Sequence, residues 1–576
     1  MTPASDVEPQ GTRGERRVFD AAAVLFGWAV GATVFFREQW EHGWKFMMGN
    51  NGDARFVVYL NEHWFQVFHG HGSWLNPQFF YPVKGLLGWS DTFFVYQIFY
   101  TPLRLVGCGP FLAMQLTVVL LSLAGVAGFY FLIRVGFGTG RVVASVFAAV
   151  GTFSNALWLH AGSFQDDGVW LVPLVALLGL VAWRSAGQGQ TVKASVFGFA
   201  CGGLAILLFF STYYVSYFSI LAAFVALVVA FAAFRQRFLA AAIEGLRRRL
   251  AAVAAAAVAF GIGLWPFLLT YLPAQNAEPK GNYSVAISYA GRLHDMVDLG
   301  AGNVVWSSAI HSVLPRTNYG AHELTYPPTP ITWVLAIGGA ALCLRWLRSR
   351  RAARPEAARA AVVLAISAVM VAFIPIHTQY FTPWAVIYHL PGARAMRAID
   401  RAEIVTNLVA LLAAAAAITE IAAHVRSPAR RVGSSPLALH LKGLPRLGLL
   451  AGALVVLLAV EQINTTDTSQ VDRYTQSALL SLVRPVPVTC RSFYVVDSQD
   501  PTLSFFDSQI DAMLISQKLS LPTINGYTAY NPTGWNLDGI GAGDYLPSVR
   551  GWADTHRVST GLCQLDLAGM TWSASQ

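Results

Sequence analysis

Apolar runs of membrane-spanning length recur along this chain, and that recurrence decides what it can fold into. They occupy residues 18–36, 111–133, 142–159, 171–183, 194–210, 222–234, 250–272, 331–344, 361–376, 404–423 and 447–460. A helix needs ~20 predominantly apolar residues to cross a bilayer; several runs reach this alone and the shorter ones reach it with their flanks. Hydrophobic residues make up 55% of the chain and charged residues only 12%, against the ~25% charge of a soluble protein; the mean hydropathy is +0.48. The sequence therefore reads as an all-α polytopic membrane protein of about 11 transmembrane helices rather than a water-soluble core.

The net charge of +9 does not imply nucleic acid, because of where it sits. Lys and Arg gather in the short connections between spans, above all at 235–249 and 345–359. Cytoplasmic loops retain such residues. That places the N-terminus (1–17) in the cytoplasm as a polar tail, and the first run is an anchor rather than a removed signal peptide. It also decides how to read 92–107, which is apolar but short and contains Pro102 and Arg104. A span there would turn every later basic loop outward, so this stretch is expected to be an interfacial or re-entrant helix. Residues 237–249 read as an amphipathic helix on the inner leaflet and 425–446 as a cytoplasmic linker.

The resulting organisation is a transmembrane domain over 18–460 with a long outer loop, 37–110, followed by an extracytoplasmic unit over 461–576. After Val460 the composition becomes ordinary, with short β-like runs such as 492–496 and aromatic-rich loops at 521–532, as expected of one small α/β domain. Cys490 and Cys563 stand apart from the other cysteines in this unit; outside the cell they would form a disulfide, and otherwise they are two buried thiols.

Soluble-enzyme motifs are absent. Gly136-Phe137-Gly138-Thr139-Gly140 lacks the preceding strand and following Lys of a phosphate loop and is a tight turn between spans. What remains is a set of ionisable residues on the outer side. Asp53 lies shortly after the first span, where a carboxylate could serve as general base toward an acceptor hydroxyl, or else cap a helix in a Gly-Asp turn. Glu62 and His63, on the following helical turns, form a paired acid and imidazole and join it as catalytic candidates. Asp91 is expected to cap the re-entrant segment, and His69 and His71 to bind metal or to be a solvated loop tip. His160 and the adjacent Asp166 and Asp167 sit at the outer end of the third span. Acids at a membrane boundary are functional candidates by default, whereas a bland reading makes Asp167 a helix cap. Asp166 or Asp167 could order an acceptor or share a divalent cation, magnesium or manganese, with Asp53; no other cofactor is implied. Finally, Arg394, Arg397 and Arg401 break the charge rule and fall on one helical face at three- to four-residue spacing. Fixed guanidinium groups are what a lipid phosphate requires, unless they pair with Asp400, Glu403 or the C-terminal unit; Arg55 would add to them.

The Gly52-Asp53, Trp74-Leu75-Asn76-Pro77 and Tyr81-Pro82 tract, together with Leu390-Pro391-Gly392, Arg397 and Arg401, resembles bacterial members of the GT-C superfamily. These are membrane glycosyltransferases that use polyprenyl-phosphate sugars. The resemblance covers most of 18–460. It implies Asp53 as general base, Asp166 or Asp167 as second-loop acid, and Arg397 or Arg401 as donor-phosphate contact. Asp53 is followed by Ala54-Arg55 where better-known members carry another acid. The expectation is an inverting glycosyltransferase of the bacterial inner membrane, taking a polyprenyl-phosphate-linked sugar from the membrane lipid phase and passing it to an extracytoplasmic glycan, lipid or protein acceptor. The alternative is a non-enzymatic transporter or flippase of lipid-linked saccharides, which would carry paired charges within its spans and pseudo-repeats between its halves.

Overall fold

A computed structural model describes residues 13–277, 283–313, 325, 328–426, 453–500 and 502–574. Among these, ten helices are long and apolar enough to cross a membrane, each coinciding with one of the apolar runs. The principal elements of the membrane half are α1 (Arg13–Phe35), α2 (Asp53–Phe68), α3 (Gln97–Leu105), α4 (Pro110–Phe137), α5 (Arg141–Thr152), α6 (Val172–Gly187), α7 (Thr191–Ser211), α8 (Tyr213–Ala277), α9 (Pro355–Ala372) and α10 (Ala402–Arg426). A further span runs over 330–348. The expected eleventh span, 447–460, lies partly outside the described residues; its described part, 453–460, is helical. Most of the 1–17 tail and nearly all of the 425–446 linker also lie outside them. Residues 237–249 are helical backbone within α8, beyond a break at Phe234 (φ −135°, ψ 33°).

Local sequence marks where these helices start and stop. Pro110 and Pro355 stand at the first positions of α4 and α9, where a missing N–H costs nothing. Gly138, at φ 73°, ends α4: its N–H donates back to the Arg134 carbonyl and the Thr139 N–H to the Ile133 carbonyl, the left-handed stop that glycine adopts most readily. Close approach between spans relies on small residues. A Cβ added at Gly198 or Gly202 of α7 would run into the carbonyls of Ala252 and Ala256 in α8, and α9 meets α10 through buried alanines including Ala358, Ala361, Ala413 and Ala414.

The basic connections converge on one end of the bundle. Asp20 accepts from Tyr130 at 2.7 Å and from Arg141 at 3.0 Å, and Arg184 donates to the carbonyls of Val135 and Gly136. Glu420 accepts the N–H groups of Ala353 and Arg354. Loop 37–110 and the C-terminal unit occupy the other end. There α3 is nine residues long, about 14 Å at 1.5 Å per residue, too short to span and in keeping with the re-entrant reading.

In the C-terminal unit, strands β3 (Ser492–Val496), β4 (Leu562–Asp566) and β5 (Thr571–Ala574) form one sheet, with β3 parallel to β4 and β4 antiparallel to β5. Helices α11 (Phe505–Leu519) and α12 (Tyr545–Thr555) cover it. Cys490 and Cys563 are disulfide-bonded, with Cα atoms 5.6 Å apart, which resolves the open choice between bridge and thiols. A second, two-stranded pairing joins β1 (Phe46–Met47) of the outer loop to β2 (Val471–Asp472), so the loop and the C-terminal residues are laced together.

Candidate functional site

The end of the bundle opposite the basic connections encloses a cavity of about 690 Å³. Its walls come from the start of α2, residues 88–93, the facing ends of α7 and α8, the segment 391–401, and residues 527–530 of the C-terminal unit.

Asp53 is the first residue of α2, and the helix forms because Phe56, Val57, Leu60 and Trp64 give it an apolar side to bury. A carboxylate in the first turn also suits the helix dipole. Its side chain is no cap: the Asp53 N–H donates to Asn50 Oδ1 at 2.6 Å, and Gly52, the capping position, has no side-chain bond. The carboxylate lines the cavity instead, with Oδ1 accepting from Tyr527 Oη at 2.8 Å.

Phe56 and Val57 of α2 also line the cavity, but Arg55, Glu62 and His63 do not, which corrects three sequence-based expectations. Glu62 accepts from Tyr100 Oη at 2.8 Å and from Arg104 Nε and Nη2 at 2.8 and 2.9 Å, so this acid pins the re-entrant helix α3. His63 is buried with Nε2 3.0 Å from the Trp74 carbonyl oxygen; burial lowers its pKa, opposed by that carbonyl. Arg55 is fully enclosed between two carboxylates of α11, Asp507 at 3.1 Å and Asp511. Burial brings the Arg55 guanidinium down to about 10, opposed by Asp507, so it stays charged at neutral pH and holds protein rather than ligand.

Arg394, Arg397 and Arg401 line the cavity together, though not on a helical face. Gly392 at φ 84° and an extended Met396 split the segment into two short 3₁₀ turns, Ala393–Ala395 and Ile399–Arg401. Arg394 and Arg397 are exposed. The Arg397 backbone N–H donates to Tyr214 Oη at 2.8 Å, and its guanidinium reaches the Ala529 carbonyl at 3.4 Å. Arg401 is held more firmly: its Nε is 3.7 Å from Asp166 Oδ2, its guanidinium lies over the Tyr214 ring, and Gln165, with its amide oxygen turned toward the guanidinium, accepts from both terminal nitrogens at 2.8 and 3.1 Å.

Asp166 and Asp167 are buried behind this wall and do not line the cavity. Neither caps the helix that follows. His160 Nδ1 lies 3.5 Å from Asp166 Oδ2, so the imidazole sits behind the same arginine rather than in the cavity. The Asp53 charge is within electrostatic range of Asp166, but among the described residues no group of three or more His, Cys, Asp and Glu side chains is placed to hold a metal ion. His69 and His71 sit on an exposed loop.

Two residues line the cavity that the sequence reading did not place there. Asp91 does cap a helix, but α8 rather than the re-entrant segment, accepting the Tyr213 N–H at 2.6 Å while facing the cavity. Burial raises its pKa to about 6, opposed by that hydrogen bond and by Arg401. Tyr527 lies in the aromatic tract noted at 521–532, but nothing local points it at Asp53.

No protein family and no curated protein matches the chain. Among solved structures it is similar to the oligosaccharyltransferase of Archaeoglobus fulgidus in complex with zinc and sulfate, at 12% identity over 94% of this chain and 67% of that one, with a TM-score of 0.48. It is also similar to ArnT from Cupriavidus metallidurans, bound to undecaprenyl phosphate (14% identity, 89% of this chain and 86% of that one, TM-score 0.42). The same protein in the apo state matches at 13% identity, over 88% of this chain and 85% of that one, with a TM-score of 0.39.

Proposed function

We propose that this protein is a membrane glycosyltransferase that moves a sugar from a polyprenyl-phosphate donor to an acceptor hydroxyl at the outer end of the bundle. One observation carries the reading: a single cavity places the Asp53 carboxylate and three arginines on its walls, with apolar side chains of membrane-spanning helices, such as Phe209, Phe267, Leu268 and Leu272, completing it. In the reaction, the acceptor oxygen attacks the anomeric carbon and passes its proton to Asp53. The bond from that carbon to the phosphate oxygen breaks, and the electron pair leaves with the polyprenyl phosphate. Such a step inverts the anomeric centre. A general base contributes about 10²- to 10⁴-fold in such a step. Arg394, Arg397 and Arg401 neutralise the departing phosphate, where fixed charges act most strongly. Asp166, in this reading, keeps Arg401 oriented.

The test is glycan mass spectrometry on a deletion strain complemented with Asp53→Asn. The product missing from the deletion strain should stay missing, while the variant remains inserted and keeps binding undecaprenyl phosphate. The double variant Arg397→Ala/Arg401→Ala should lose that binding. Full product formation by a stable Asp53→Asn protein would refute the proposal.

A further inference from the structure

The C-terminal unit grips the start of α2 on both sides of the cavity-facing carboxylate. Below it, the Arg55 guanidinium is locked to Asp507 and Asp511 of α11. Above it, Tyr527 Oη donates to Asp53 Oδ1 at 2.8 Å. The Tyr527 ring cannot swing freely, because Phe56, Phe505 and Phe506 meet it edge-on with centroids 5.4, 5.9 and 5.4 Å away. Phe506 also closes over Gly52, where an added Cβ would meet its ring at 2.9 Å. Burial, and next the Asp53 charge, hold the phenol above its ordinary pKa, so it remains a donor across the physiological range. From Tyr527 the chain continues along the cavity wall through Thr528, Ala529 and Tyr530, and Ala529 offers its carbonyl to Arg397. This short tract thus touches both the carboxylate and the arginine side of the cavity.

We propose that Tyr527 is a positioning residue for Asp53, and that residues 527–530 make the C-terminal unit one wall of the acceptor subsite. With Oδ1 occupied by the phenol, one carboxylate rotamer is favoured and Oδ2 is the oxygen presented to an incoming hydroxyl. The inference rests on the glycosyl-transfer reading above.

Tyr527→Phe removes one oxygen and leaves the aromatic cluster in place. Membranes from the complemented deletion strain are assayed for the missing glycan over a range of polyprenyl-phosphate sugar concentrations, and the purified protein is titrated with undecaprenyl phosphate. The expected result is a transfer rate lower by about 10- to 100-fold, the loss of one hydrogen bond to a charged group. The loss should fall on the maximal rate, with the apparent donor KM and undecaprenyl phosphate binding within about twofold of wild type. A purely packing role would weaken donor binding along with the rate. A Tyr527→Phe protein with wild-type rate, beside an inactive Asp53→Asn protein, overturns this inference and leaves the reaction standing. An active Asp53→Asn protein overturns the reaction itself.

Discussion

Arg55 offers the sharpest test of how the two halves of the molecule are joined. Its guanidinium has no solvent exposure, and its partners differ: the Asp507 side chain is 34% exposed and the Asp511 side chain 8%. Replacing Arg55 by Met removes the shared cation. Asp507 recovers hydration, but Asp511 is left as an unpaired buried charge, and breaking a buried pair in this way costs about 3–5 kcal/mol. Asp507→Asn should cost about 1 kcal/mol or less, because that partner is already partly screened by water. Asp511→Asn falls between. The neutral triple variant, Arg55→Met with Asp507→Asn and Asp511→Asn, should recover most of the loss, since no buried charge is stranded.

Two-state melting is the wrong assay for a protein of this organisation. Amide hydrogen exchange in detergent, read on peptides covering α11 and α2, reports the local opening directly. An opening easier by 3–5 kcal/mol accelerates exchange by about 10²- to 10³-fold or more. Other contacts should hold the unit close even so: Gln517 Nε2 donates to the Tyr59 carbonyl at 2.9 Å, and Ser516 Oγ donates to the Gln78 carbonyl at 2.9 Å. The refuting outcomes are clear. If Asp507→Asn loosens α11 as much as Asp511→Asn, burial is not what sets the cost. If Arg55→Met leaves exchange unchanged and instead abolishes undecaprenyl phosphate binding, Arg55 is a ligand contact after all.

The remaining predictions concern pH and covalent structure. Asp91 has its folded pKa raised to about 6 from an ordinary 3.8, so between those values the folded protein keeps a proton that the unfolded chain gives up. Its contribution therefore favours folding below about pH 4 and is lost as pH rises through about 6; Asp91→Asn should flatten the stability profile in that window, and an identical slope in both proteins would contradict the assignment. The Cys490–Cys563 bridge closes a separation of 73 residues. Its removal in a double Ser variant should destabilise the C-terminal unit by about 2–5 kcal/mol, seen as faster exchange in β3 and β4; protection equal to wild type would show that the sheet alone sets its stability.

What the sequence disclosed, and what it concealed, follows from the range of the interactions involved. Spans were legible because a bilayer demands only length and apolarity from a contiguous run, and each of the ten described spans meets that locally. The arginine trio was legible as a charge cluster that departs from the expected pattern of basic connections. Its geometry was not, because three- and four-residue spacing fits a helix as well as two 3₁₀ turns joined by an extended Met396. Pro391-Gly392 was the local signal against a continuous helix. The roles of Arg55, Glu62 and Tyr527 depended on partners far away in sequence, of which only the i, i+4 carboxylates Asp507 and Asp511 left a trace, as a pair on one side of a helix.

Along α2 the distinction between working and structural charges comes down to closure. Residues 54–64 are buried throughout, and a charge on such a helix has to be paired. Arg55 and Glu62 are closed on every side by protein partners. Asp53, half-buried in the first turn, has one oxygen engaged by Tyr527 while the carboxylate still faces open space. Only a charge left open in this way can meet a substrate without first breaking a protein contact, which is why the acid at the helix start, rather than the acid–imidazole pair two turns later, is the group to which the chemistry is assigned.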